Sequence, residues 1–166
     1  LSKLYGMFDG EIPFITPGDL DRSDGVCKRY VTKAGAAKSR IVDKGALLVC
    51  CIGTIGKMNK ATQQSAFNQQ INAVSWGSRV DADYALEMMR FFRANIARDG
   101  ASTTLPILKK SRFAEILVPV PPISDQKVFA NIVRAIESQR RQVNSHLIEL
   151  NIFFTSLQSR AFAGEL

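Results

Sequence analysis

"LPILKKSRFAEILVPVPPISDQKVFANIV", residues Leu105 to Val133, sets a basic cluster, a β-like apolar run, a double proline and the opening of a helical pattern in immediate succession. The run "AEILVPV" (Ala114 to Val120), with prolines at and just beyond its end, reads as a last strand at an edge or an exit. Pro121-Pro122 then breaks the chain, and Ser124 with Asp125 offers a cap and a negative charge suited to a helix start. Beyond it, apolar residues at Phe129, Ile132, Ile136, Val143, Leu147, Leu150, Phe154 and Leu157 keep helical spacing, with one polar gap around Gln139 and Arg140. Neither proline nor glycine interrupts the pattern before Gly164. About 38 residues at about 1.5 Å each give a helix on the order of 55 Å, longer than a small domain can cover. Such a stripe needs a partner helix, and those eight residues are the expected helix interface. The alternative is a helix folded back on its own domain.

Upstream of the prolines, strands alternate with short helices. "IPFIT" (Ile12 to Thr16) ends in the turn cluster Pro17-Gly18-Asp19, and "ALLVCCIGTIG" (Ala46 to Gly56) has the character of a fully buried strand closed by glycines. "QQINAVSW" (Gln69 to Trp76) alternates as a strand, and apolar residues at 85, 88, 89, 92 and 96 predict a helix between Asp81 and Ala97. The expected fold class is α+β: a mixed-sheet domain over residues 1–122, followed by a long coiled-coil-forming helix over 123–166.

Charge points to a partner. The net charge of +7 is uneven: residues 1–124 hold 17 basic and 11 acidic side chains, residues 125–166 hold 5 and 4. A basic excess confined to the mixed domain favours polyanions, nucleic acid above all. The longest apolar run is too short to span a bilayer, and the first residues lack the succession of a secretory signal, so a cytoplasmic protein with no membrane association is expected. The chain opens on Leu1, and further residues are expected before it. Cys27, Cys50 and Cys51 lack metal-ligand spacing and read as buried apolar residues in a reducing compartment.

Catalytic chemistry is missing from the pattern. His146 sits alone within the long helix, without cysteines or clustered carboxylates at ligand spacing. "GTIGK" (Gly53 to Lys57) has two residues between its glycines where a phosphate-binding loop has four, and Met58 follows the lysine where that motif has Ser or Thr. It reads as a tight turn. No catalytic residue, metal ligand or bound cofactor is therefore expected.

Two stretches have the chemistry of base and phosphate contact. "GKMNKATQQSAFNQQ" carries Lys57, Asn59, Lys60, Gln63, Gln64, Asn68 and Gln70, side-chain types that pair with purine edges. "GASTTLPILKKSR" carries Ser102, Thr103, Thr104, Lys109, Lys110 and Arg112, which suit phosphate oxygens. Each has a plainer reading, a solvated hairpin whose amides serve its own turns and an ordinary helix-capping loop.

Five segments in order, "GEIPFITPGDL", "GALLVCCIGTIGK", "AFNQQINAV", "STTLPILKKSRFAEILVPVPPISDQ" and "SLQSRAFAGEL", resemble a target recognition domain and its following helix from the DNA specificity subunits of type I restriction-modification systems. The resemblance covers nearly the whole chain. It implies a noncatalytic subunit that binds double-stranded DNA and directs methyltransferase and restriction subunits to a bipartite site. S-adenosylmethionine, ATP and Mg would then belong to those partners. Such subunits carry two recognition domains whose long helices pack antiparallel, whereas this chain has one of each, so an antiparallel homodimer through the long helix is expected of a natural half-subunit. The alternative is a fragment of a two-domain subunit, which would not pair in this way. Rival readings are a protein-interaction adaptor with a helical dimerisation arm, and the recognition portion of a fused restriction-methylation enzyme.

Overall fold

The computed structural model describes residues 6–21, 27–99 and 106–165. The chain divides into two compact units, one ending at Lys127 and the other beginning at Val128.

The first unit is built on two small sheets. Strands β1 (Phe8–Ile15), β2 (Tyr30–Val31), β3 (Arg40–Val42) and β6 (Ser65–Phe67) form one sheet in the order β2-β1-β6-β3. The other has the order β5-β4-β7, from β4 (Leu47–Cys50), β5 (Met58–Lys60) and β7 (Ile71–Val74). The β1–β6 pair is parallel and the remaining pairs are antiparallel, so the first sheet is mixed, as the sequence predicts.

Strand β4 explains the stacking. Side chains alternate across a strand, and both alternating sets of β4 are apolar. Leu47 and Val49, with Cys51 beyond the strand, face a core shared with Leu86, Met88, Met89 and Ile96, whereas Leu48 and Cys50 face Val42, Phe67 and Ile71. The second of these cores joins the two sheets. A third lies on the far side of the first sheet, where Phe14, Val31 and Ala66 meet Ala36 of helix α1 (Lys33–Ala37). Thr32 caps that helix by accepting from the Gly35 amide at 3.2 Å. Gly35 lies so close to β1 that a Cβ there would stand 2.2 Å from the Met7 carbonyl oxygen.

The predicted helix between Asp81 and Ala97 is two helices, α2 (Ala82–Phe91) and α3 (Arg93–Asp99). Asp81 caps α2, accepting from the amides of Asp83 and Tyr84. The chain leaves helical geometry at Phe92, and the second segment sets Ile96 in the same core as Met88 and Met89. Phe91 at the break is 84% exposed.

The strand predicted over Ala114 to Val120 is not one. Helix α4 (Lys110–Ala114) takes its start, and the residues that follow pair with no strand. Inward and outward alternation is nevertheless present: Ile116 and Val118 pack on the α2–α3 core, while Leu117 is 91% and Val120 51% exposed. Prolines at 119, 121 and 122 remove the amide donors a ladder would use, and the Tyr84 hydroxyl donates to the Pro119 carbonyl at 3.0 Å instead.

Helix α5 (Ile123–Phe162) starts at the expected place, although Ser124 lies inside its first turn, bonded to Asp125, and the helix begins one residue earlier. Gln126 is wholly buried there. Its amide nitrogen donates to the carbonyls of Pro121 (2.7 Å) and Arg79 (3.0 Å), and its oxygen accepts from the Asp81 amide at 2.8 Å. Three hydrogen bonds from one side chain thus tie the helix start to the cap of α2. At 40 residues α5 is about 60 Å long.

Candidate nucleic-acid interface

The amide-rich stretch forms β5, β6 and the turns around them, and its polar side chains are bound into the fold. Lys57 pairs with Asp21 and Lys60 with Asp83. Asn59 donates to the Leu20 carbonyl at 3.4 Å, and its oxygen accepts from the Lys60 amide at 2.9 Å. Asn68 folds the turn before β7, accepting from the Gln70 amide and donating to the Gln70 side-chain oxygen at 3.1 Å. Gln64 donates to Asp43 at 3.1 Å, and Gln63 is exposed in the connection between β5 and β6, which belong to different sheets. An ion-paired lysine presents little net charge to a polyanion, and an amide satisfied internally must break a bond before reading a base.

Glycines 53 and 56, both at positive φ, shape the "GTIG" turn. The Gly56 amide donates to the Cys50 carbonyl, that of Gly53 to Pro106 and that of Ile55 to Gly53. With its amides directed inward, the loop has no nest for a phosphate.

Lys109 and Lys110 are exposed at the start of α4, while Arg112 pairs with Glu115 at 3.1 Å. The residues before α4 run beside the end of β4, with Ile107 bridged to Ile52 and the Leu108 amide donating to the Cys51 carbonyl. Ser102, Thr103 and Thr104 lie outside the described residues. The sequence reading overlooked residues 27–44, whose exposed cations Lys28, Arg29, Lys33 and Lys38 have no ion-pair partner among the described residues. A running charge count over short windows, in place of one sum over 124 residues, brings them out.

All three cysteines are buried, and burial pushes each thiol up, that of Cys51 to about 11. These are packing residues rather than nucleophiles. Among the described residues no group of His, Cys, Asp and Glu is placed to hold a metal ion, and no helix is long and apolar enough to cross a membrane.

In the second unit the eight predicted interface residues all lie exposed on one side of α5, from 39% for Leu157 to 64% for Val143. His146 is exposed as well.

Residues 6–150 match the family model of the type I restriction modification DNA specificity domain. The chain belongs to that family. A type I restriction enzyme EcoDI specificity subunit from Escherichia coli is 32% identical to this specificity domain over 101 residues, covering 54% of the chain and 21% of that protein. The HsdS subunit from Thermoanaerobacter tengcongensis superposes with a TM-score of 0.62 at 15% identity, over 95% of this chain and 38% of that one. The S subunit from M. genitalium gives 0.61 at 17% identity, over 86% and 36%. A chain from a structure on complex assembly and conformational transition of the type I R-M system gives 0.71 at 15% identity, over 98% and 42%. The specificity domain thus spans about a fifth of the curated relative and roughly two-fifths of the solved chains. At such identities the solved structures speak to fold, and they share the α+β architecture with a long helix.

Proposed function

We propose that this chain reads DNA sequence for a type I restriction-modification complex, directing methyltransferase and restriction subunits to a bipartite site while catalysing neither reaction itself. Residues 1–122 are the reader, and 123–166 are the spacer and dimerisation helix. S-adenosylmethionine, ATP and Mg belong to the partner subunits. The observation that carries this reading is the family match across the basic unit and most of the helix, together with the apolar stripe the helix leaves uncovered. A second copy running antiparallel would cover the stripe by two-fold symmetry and give one reader to each half of an interrupted site.

The test is fluorescence anisotropy of the full chain with labelled duplex DNA at several salt concentrations. Log affinity is expected to fall linearly with log salt. A folded chain that binds no duplex even at low salt would favour the adaptor reading instead.

A further inference from the structure

Strand β1 is bulged. Its pairing with β2 jumps, so that Phe8 and Ile12 both align with Val31 and the residues between them stand out of the ladder. Asp9, in that bulge, has φ 66° and is the non-glycine residue with positive φ among those described. Gly10 beside it presses against the β2 backbone, where a Cβ would lie 2.3 Å from the Val31 carbonyl oxygen. The backbone is thus forced outward at Asp9, whose carboxylate is exposed and has no hydrogen-bond or ion-pair partner among the described residues. Bulges re-aim side chains, and a strained residue kept where glycine would fit more easily directs attention to its side chain.

Asp9 borders a groove of about 490 Å³ whose other walls are Phe8, Gly10, Lys28, Arg29 and Tyr30. The groove opens a stretch, Cys27 to Lys44, with six basic residues against one acidic, a net of +5 in a chain whose whole net is +7. Arg40 in this stretch is held in place, lying 4.6 Å over the Phe67 ring and donating to the Asn68 carbonyl at 2.9 Å. The excess that makes the domain basic is therefore concentrated in this stretch, whereas Lys57 and Lys60 are neutralised by ion pairs.

Resting on the DNA-reading function proposed above, we infer that the β1 bulge groove meets duplex DNA, with Lys28 and Arg29 on backbone phosphates and Asp9 accepting from a base amino group. A carboxylate is an acceptor suited to the exocyclic amine of cytosine and repels phosphate. Asp9 lines one groove with two cations, Lys28 and Arg29, whose charge would offset its own as they bring it to a base.

The experiment uses the full chain and three variants, Lys28→Ala with Arg29→Ala, Asp9→Gly and Asp9→Asn. Anisotropy against salt gives the phosphate count, and selection from a random duplex pool gives base preference. The double variant is expected to flatten the slope of log affinity on log salt by about 1.8. Asp9→Gly, which suits the positive φ, is expected to melt no lower than wild type while base preference relaxes at one position, and Asp9→Asn to change preference there. Wild-type binding with slope and preference unchanged in the variants overturns the groove assignment and leaves the DNA reading standing. A wild type that binds no duplex sinks the DNA reading and this inference with it. Displacement of DNA by inorganic phosphate beyond that by chloride at equal ionic strength overturns the inference in favour of a small-anion site.

Discussion

Replacing Gln126 by leucine keeps the volume and removes the three hydrogen bonds that fasten the first turn of α5. Each bond contributes on the order of 1 kcal/mol net, and a buried partner left unsatisfied costs more. Asp81 and Pro121 are half-buried whereas Arg79 is exposed, so water replaces part of what the Arg79 carbonyl loses. The loss should be about 3 kcal/mol, a drop in Tm of roughly 6–12 °C for a chain of this size. Gln126→Glu keeps the acceptor for the Asp81 amide but sets a carboxylate against the carbonyls of Pro121 and Arg79, and at pH 7 it should be at least as harmful. Melts followed by circular dichroism, all at one protomer concentration so that association does not contribute, give the shifts. Gln142→Leu, at an exposed position on the same helix but off the apolar stripe, serves as the control. A Gln126→Leu protein melting within 2 °C of wild type would refute the view that this side chain fastens the helix start.

Light scattering is expected to give a dimer mass that Leu147→Asp with Leu150→Asp converts to a monomer, because the two charges enter the proposed seam; a concentration-independent wild-type monomer, or a dimer that survives both changes, contradicts the antiparallel pairing. Cys51, with its thiol at about 11, holds roughly one part in a thousand as thiolate at pH 8, so iodoacetamide should modify it far more slowly in the native chain than in urea. Because folding raises this pKa above its ordinary value of 9.0, the Cys51 contribution to stability is whole below that value and is lost as pH rises towards about 11; urea midpoints between pH 8 and 10.5 should fall, and fall less in Cys51→Ala.

Periodicity carried most of the fold into view. The double apolar face of β4 is a pattern that burial enforces, the long stripe of α5 is a helical spacing that puts its apolar residues on one side, and both are present. Two readings went astray where pattern and hydrogen bonding part company. Residues 114–120 alternate as a strand should, yet prolines deny them a ladder. The segment from 82 to 99 keeps helical spacing across Phe92, although no proline or glycine marks the break there. The candidate interface was less legible for a related reason. Composition shows that Lys57, Lys60 and Asn59 can meet DNA, but their partners Asp21, Asp83 and Leu20 are distant in sequence or lie on other elements. Asp9 has no sequence signature, since its positive φ follows from a register jump between strands.

Strand β4 is a party wall. Leu47, Leu48, Val49 and Cys50 are each no more than 1% exposed, and every one belongs to a core on one side or the other. A change of volume there is felt in one of two cores that share a single backbone, so drift along the strand is confined to swaps between apolar side chains of similar size. The bulge at Asp9, the β5–β6 connection at Gln63 and the start of α4 lie outside that wall and can change without reaching it. Sequence can therefore turn over at the rim while the frame persists, and the solved chains do keep the fold at 15–17% identity. New specificities in such a lineage would arise by rewriting the rim, with the wall copied forward as apolar character rather than as particular residues.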